Sequence, residues 1–371
     1  MWKRLRITSG LWLVVALVIS TWSKGHSPIL DFKLPTGFGS FAFYSPDGET
    51  IMAFSEQPES GMVALDFWSA ADGHKIRSAI LYESRIADRT LSLDRQFLVT
   101  RHSDGFIRVT DLRSETIVMQ TEIPRVDWWT YKWIRDADGN DIKRWFRPHW
   151  RVDDIAFSSQ GNVIAAISSD GVIIWDATTG EPVRQFSNDT SVIIYSEIAL
   201  SPDGEQLAFA GSNGWRNHGK LCYMKVKSDK VPQCVSLSTG IFDLAWSPDG
   251  QYIAMGTIHG VKIWNVTRRV VVNELITAGF FVIGEIDSLS FSPDGRFLMA
   301  TGAETYWVAL WDTHNWRRVT QFGYCGTAPC GYYRIDYSPT GHSVLIHGGD
   351  RWEYFTEQWS LPGFFQSEPT R

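Results

Sequence analysis

Short apolar runs alternate with polar turns along almost the whole chain. Ile155-Ala-Phe157 and Leu244-Ala-Trp246 each lead into a turn, and Val163-Ile-Ala-Ala-Ile167 follows one. β-branched and aromatic residues dominate the runs. This pattern predicts strands of four to eight residues. The turns recur. Ser-Pro-Asp-Gly stands at 45–48, 201–204, 247–250 and 292–295, with degenerate copies Ser-Pro-Thr-Gly at 338–341, Ser-Ser-Gln-Gly at 158–161 and Ser-Leu-Asp-Arg at 92–95. Proline presets φ in such a turn and glycine accepts a positive φ. The seven serines lie 47, 66, 43, 46, 45 and 46 residues apart. Seven units of about 45 residues match a β-propeller with four strands per blade. The one long interval carries about 20 extra residues.

Within a unit a second turn follows, such as Asp104-Gly105, Asp170-Gly171, Asn213-Gly214 or His259-Gly260. A third strand then ends in Trp68, Trp175-Asp176, Trp264-Asn265 or Trp311-Asp312. Blades two, four and seven show no such tryptophan. The phrase Asp170-Gly-Val-Ile-Ile-Trp175-Asp176, with Val261-Lys-Ile-Trp264-Asn265 and Val308-Ala-Leu-Trp311-Asp312, resembles the WD40 repeat. The resemblance covers about residues 28–360. It implies an all-β, seven-bladed propeller that works as a protein-interaction scaffold. The Gly-His pair that opens many WD40 units is missing at most expected positions, so the family's Asp-His-Ser-Trp network is expected to be partial. The last unit is short of a strand, and Pro28–Leu34 is a spare extended stretch. That stretch is expected to supply the outer strand of blade seven and close the ring.

The N-terminus departs from this pattern. Lys3, Arg4 and Arg6 precede the uncharged run Ile7–Ser23, and Lys24 ends it. A basic flank with a short apolar helix describes a signal peptide or a signal anchor over residues 1–27, with residues 28–371 as the propeller. Both fates stay open: an anchored propeller on the non-cytoplasmic side, or a secreted or periplasmic one. The chain is 44% hydrophobic, 20% charged and carries a formal charge of −6. Removing the four N-terminal cations leaves 31 basic against 41 acidic residues. That balance argues against a nucleic-acid partner. Four cysteines in an exported chain suggest two disulfides. Cys222 and Cys234 flank a turn at 227–230, and Cys325 and Cys330 bracket Gly-Thr-Ala-Pro. Four unpaired thiols are the alternative.

Candidate chemistry is sparse. The chain has no Gly-x-Ser-x-Gly, His-Glu-x-x-His, P-loop or dinucleotide fingerprint, and no cofactor is expected. Asp136-Ala-Asp138-Gly-Asn140 starts like a calcium loop, but Asp141 and Arg147 stand where Gly and Glu are required; a hairpin tip explains it and no metal is expected. The sequons at Asn188 and Asn265 read as chance matches. Tryptophan is the surplus, 18 residues. Five of them, with five basic residues, fall in the insertion at about 127–150: Trp128, Trp129, Trp133, Trp145 and Trp150. Trp215 and Arg216 stand in a long second turn. In a propeller the insertion and this turn emerge on one face. Functional residues concentrate on loops held by a rigid scaffold, so that face is expected to bind a protein or peptide. The competing reading packs the tryptophans against blades two and three. The runner-up function is an exported propeller enzyme, hydrolase or lyase, or a carbohydrate binder, with its site at the channel mouth. Converging carboxylates or a metal there would favour the enzyme.

Overall fold

The computed structural model describes residues 28–362 apart from 36–41, 57–62, 83, 85, 93, 124–129, 136–140, 147–151, 159–161, 169–170, 188–193, 213–217, 229, 276–284, 303–306, 323–330 and 350–353. The described residues form seven four-stranded antiparallel sheets and one two-stranded ribbon. Blade one runs Ala42–Tyr44, Thr50–Glu56, Val63–Ser69 and Lys75–Tyr82 in spatial order, and blades two to six repeat that order at residues 86–122, 152–187, 194–237, 243–275 and 288–322. Blade seven takes only three strands from the end of the chain, Gly331–Tyr337, Ser343–Gly349 and Tyr354–Ser360. Its outer strand is Ile29–Pro35, paired antiparallel with the last strand from Ile29 opposite Ser360 to Pro35 opposite Phe355. The ring is thus closed by the stretch expected to do so. The targeting segment at 1–27, with its expected helix, lies outside the described residues. Among the described residues, no helix is long and apolar enough to cross a membrane.

The recurring turn has a physical reason. In blade one the Ser45 hydroxyl donates to Asp47 Oδ1 and accepts from Thr50 N at 3.0 Å, while Gly48 N closes the turn onto Ser45 O at 2.9 Å. Blades four, five and six repeat the same bonds around Ser201, Ser247 and Ser292. The turns also stack. A Cβ added at Gly48 would meet Pro339 at 3.4 Å, and one at Gly295 would meet Pro248 at 3.6 Å. Each proline therefore leans on the glycine of the next blade, and both glycines sit at positive φ, +76° and +72°.

The cores lie between blades. Ile164, Ile173 and Trp175 of blade three pack with Val99, Ile107 and Val109 of blade two. Trp311 of blade six packs with Ala254, Val261 and Ile263 of blade five. The third-strand tryptophans share one register: Trp68 faces Ile51, Trp175 faces Ile164, Trp264 faces Ile253 and Trp311 faces Leu298. Trp359 faces Val344 in the same way, so blade seven does carry this tryptophan, contrary to expectation. The repeat hid it because the outer strand of this blade, Ile29–Pro35, comes from the other end of the chain. Trp68 is half-buried, whereas Trp175, Trp264 and Trp311 are buried.

Candidate functional site: the central channel and its two ends

The first strand of each blade lines the channel, and its distance from the turn serine sets what it presents. One residue before the serine stand Tyr44, Leu91, Phe157, Leu200, Trp246, Phe291 and Tyr337. Six of these, with the prolines of five turns, wall a cavity of about 510 Å³ under the Ser-Pro-Asp-Gly turns. Four residues before the serine stand Asp88, Asp154, Glu197, Asp243, Ser288 and Arg334; Phe41, at that place in blade one, lies outside the described residues. A bulge in blades two, three, four and seven falls immediately before this position. Such bulges re-aim the side chain that follows. Asp154, Glu197, Asp243 and Arg334, joined by Asp287, line a second cavity of about 350 Å³.

The acids of this belt are not equivalent. Asp154 Oδ1 accepts from Ile155 N at 2.8 Å and Oδ2 from Ile198 N of the next blade at 3.0 Å. Asp243 does the same with Leu244 N and with Leu289 N of the next blade, at 2.8 and 2.5 Å. Ser288 Oγ accepts from Ile335 N of blade seven at 3.1 Å. These three side chains staple blade to blade. Asp88 Oδ1 accepts from its neighbour Arg89 N, but its buried Oδ2 receives no hydrogen bond. The equivalent N–H on the next blade, that of Ile155, already belongs to Asp154. Likewise Leu244 N belongs to Asp243, and Glu197 holds no such staple.

Crowding raises these carboxyls. Burial pushes Asp154 well above the usual carboxylate range, and the charges of Asp88 and Asp243 add to it. Burial and then Asp154 and Asp243 do the same to Glu197. Burial lifts Asp243 to about 7 against its two backbone hydrogen bonds. Burial also raises Asp88, opposed by Arg89 N and by Arg334, Arg101 and Arg89. Among the described residues, no three His, Cys, Asp or Glu side chains converge closely enough to hold a metal ion.

Two further constellations are structural. Arg95 takes the place of the turn glycine in blade two and keeps its positive φ of 58°. From there its guanidinium passes blade one and forks onto Asp336 of blade seven, at 2.7 and 2.9 Å, while Asp336 also accepts from Tyr44 N. The degenerate Ser-Leu-Asp-Arg turn is thus a cross-ring tie. His347 Nε2 donates to Ala42 O at 3.0 Å and its Nδ1 accepts from Thr356. Burial, then Arg334, pushes His347 down to about 3, so it stays neutral and joins blade seven to blade one.

The residues singled out from sequence divide sharply. Cys222 and Cys234 face each other across the third and fourth strands of blade four and form a disulfide. Cys325 and Cys330 lie outside the described residues. In the insertion, Thr130–Arg135 pairs antiparallel with Asp141–Phe146, Trp133 opposite Lys143 and Trp145 opposite Tyr131. Trp128, Trp129, Trp150, Trp215 and Arg216 lie outside the described residues. The acid belt was missed. Its signal was present as an acid four residues before the turn serine in four consecutive units.

The connections also differ by face. Every first turn has five residues: 45–49, 92–96, 158–162, 201–205, 247–251, 292–296 and 338–342. Antiparallel alternation puts these and the third-to-fourth turns on one face. Second-to-third turns and blade-to-blade connections leave by the other, and they run from two residues at 169–170 to the long stretch 123–151 that contains the ribbon.

Comparison with known proteins agrees with this architecture. The family model "WD domain, G-beta repeat" matches residues 233–265. That span is the outer strand of blade four plus three strands of blade five, the same one-strand stagger that places Ile29–Pro35 on blade seven. The chain is 28% identical over 174 residues to WD repeat-containing protein SL1-17 of Schistosoma mansoni, covering 45% of this chain and 52% of that protein. It is 27% identical over 179 residues to the LST8 homolog of Drosophila melanogaster, covering 45% and 54%. It is 30% identical over 109 residues to the small ribosomal subunit protein RACK1 of Candida albicans, covering 28% and 32%. The chain spans about half the length, or less, of the curated relatives it matches first. Seven four-stranded blades, a WD40 repeat at 233–265 and these WD-repeat relatives place the chain among the WD40-repeat propellers.

Proposed function

We propose that this propeller is a non-catalytic platform that binds a protein partner through the face carrying the long connections, on the exported side of a membrane. The carrying observation is the asymmetry of the two faces. Seven five-residue first turns and third-to-fourth turns of four to seven residues keep one face short, while the other face carries the long connections and the two-stranded ribbon. A rigid scaffold presenting variable loops is the usual arrangement of a recognition surface. The basic, apolar N-terminus and the Cys222–Cys234 disulfide support the exported setting.

The test is partner capture by residues 28–371 from extracts of the source cell's envelope. The triple variant Trp128→Ala, Trp129→Ala, Trp133→Ala is expected to lose the captured proteins while melting like the wild type. Val231→Ser, an exposed position on the regular face, is expected to keep them. Equal capture by all three proteins overturns the proposal. The carboxylates of the belt favour a second reading, a ligand site or an enzyme active centre inside the channel. Two of its acids, Asp154 and Asp243, are committed to backbone N–H groups, which leaves them poor general bases.

A further inference from the structure

We infer that the outer rim of the regular face, over blades four to seven, docks on an anionic phospholipid bilayer. This goes beyond the platform reading and rests on it only in leaving the opposite, long-connection face free for a partner.

Exposed aliphatic side chains are not scattered over the molecule. Of the nine large hydrophobic side chains exposed among the described residues, all but Trp307 stand where an outer strand begins. In blades four, five and seven they are Val231, which is 81% exposed, Val270, and Ile29 with Leu30. Outer strands begin at the third-to-fourth turns, so these residues ring the regular face. Blade seven conforms, because Ile29 lies opposite Ser360 and Ser360 opposite Ser343, which follows a first turn. Single exposed aliphatics are ordinary, but a set gathered on one rim marks a contact surface.

Charge divides this rim into two arcs. From the third-to-fourth turn into the outer strand, blades one to three carry four cations and three acids over 70–77, 112–118 and 177–184. Blades four to six carry six cations, Lys227, Lys230, Arg268, Arg269, Arg317 and Arg318, against the single acid Asp229 over 226–232, 266–271 and 313–319. The first arc spends its charges. Lys75 pairs with Asp66, Arg77 pairs with Glu115, and Arg184 donates to the carbonyls of Ser228 and Lys230. The six cations of the second arc are all exposed, and among the described residues no salt bridge engages them. Arg269 holds a left-handed φ of 55°, where Gly73 and Gly180 stand in the same turn of blades one and three. Its N–H donates to Asn265 O as theirs donate to Ser69 O and Asp176 O. An arginine in a glycine's conformation is costly to the fold, and its guanidinium stands 5.8 Å from the Tyr223 ring centroid without an ion pair among the described residues.

Cations interleaved with aliphatic side chains fit a headgroup layer. There ammonium and guanidinium groups meet phosphates while methyl groups enter the acyl boundary. A soluble polyanion would meet the cations but leave Val231, Val270, Ile29 and Leu30 in water. The chain itself also points to a bilayer. Residues 1–27, with the uncharged run Ile7–Ser23, join the ring at this same rim through Pro28. Asp203, Asp249 and Asp294 of the same face stand in the first turns nearer the axis, each bonded to its own serine. The contact is therefore the rim and not the whole face.

The experiment is flotation of residues 28–371, which hold every strand of the closed ring. The vesicles are phosphatidylcholine alone or with about 30% phosphatidylglycerol. Binding is expected on the anionic vesicles only, falling at least about tenfold between about 0.1 M and about 0.5 M salt. Each cation near an anionic bilayer is worth about fivefold in affinity. Arg269→Gly is thus expected to weaken binding about fivefold while the melting temperature holds or rises. Adding Arg268→Gln, Arg317→Gln and Arg318→Gln is expected to weaken it at least about a hundredfold. Val231→Ser with Val270→Ser is expected to weaken it at least about fivefold. Equal binding to neutral vesicles, no binding to anionic ones, or wild-type binding by the four-site variant each overturns the inference. So does wild-type binding by the double valine variant, which leaves an ionic patch that any acidic macromolecule could fill. The platform reading is judged separately: capture lost in the tryptophan variant while vesicles fail to bind retains the platform and removes only the membrane seat.

Discussion

The two ends of the central channel are built by the same seven strands and have opposite physics. Under the Ser-Pro-Asp-Gly turns the wall is aromatic and aliphatic, and prolines stack on glycines from blade to blade. Three residues further back the same strands present acids, several held above their ordinary range by burial and by each other. At the first end the serine hydroxyls and aspartates of the turns bond to one another within each turn. The second is only partly satisfied, because some acids staple blades and others do not. Stability therefore concentrates at one end, and unspent electrostatic energy at the other.

The largest expected effect lies at the apolar end. Trp246 is buried, and its Nε1 donates to Ala199 O of the neighbouring blade at 3.2 Å. Trp246→Ala is expected to cost about 3–5 kcal/mol, read as a lower denaturation midpoint. A cost under about 1 kcal/mol would break the view that this end carries stability. Next comes a staple. Asp154→Ala strands the N–H groups of Ile155 and Ile198, each worth about 1–3 kcal/mol, and relieves some repulsion. A net loss of about 2 kcal/mol is expected in the same measurement.

Arg95→Gly sharpens the comparison from the regular face. Glycine suits the left-handed backbone and should recover about 1 kcal/mol. Against this, Asp336 loses its two-pronged partner. The pair is partly solvated, 13% and 17% exposed, so breaking it is set below the 3–5 kcal/mol of a fully buried pair. A net loss of about 1–2 kcal/mol is expected. A gain would mean that the cross-ring tie contributes nothing.

The smallest effect has the opposite sign. Asp154, Glu197 and Asp243 have folded pKa values above their unfolded ones. Their contribution to stability is complete below the unfolded carboxylate value and is lost as pH rises through the folded values, near 7 for Asp243. The wild type should therefore lose stability between pH 5 and pH 8. Glu197→Gln removes one member of the crowd. It should melt like the wild type at pH 5 and about 1–3 °C higher at pH 8. Lower melting at both pH values would show that Glu197 is a staple after all. Asp154→Ala destabilising while Glu197→Gln stabilises is the sharpest form of the contrast, since both stand at the same place in adjacent blades.

Legibility in the sequence followed locality. The turns could be read because each is complete within five or six residues: serine, proline, aspartate and glycine act on one another. The Cys222–Cys234 pair was legible for the same reason, being a hairpin neighbour. Trp359 was misjudged because its role is visible only once the last strand is placed in register. The acid belt was written at a constant offset from the turns, but no local rule assigns a function to one acid in a bulged strand. The aromatic insertion stood out by composition alone, and its ribbon register puts Trp133 and Trp145 on paired strands.

By itself the sequence determined the period, the strand-and-turn alternation, the count of seven blades and the segment that closes the ring, since each follows from short-range backbone preference and repetition. Tertiary structure decided what the ring encloses. Asp88, Asp154, Glu197 and Asp243 are tens of residues apart along the chain and become neighbours only through closure. Arg95 reaches Asp336 across 241 positions of sequence for the same reason. Burial and mutual repulsion, which change the charge of these groups, exist only when the strands converge on one axis.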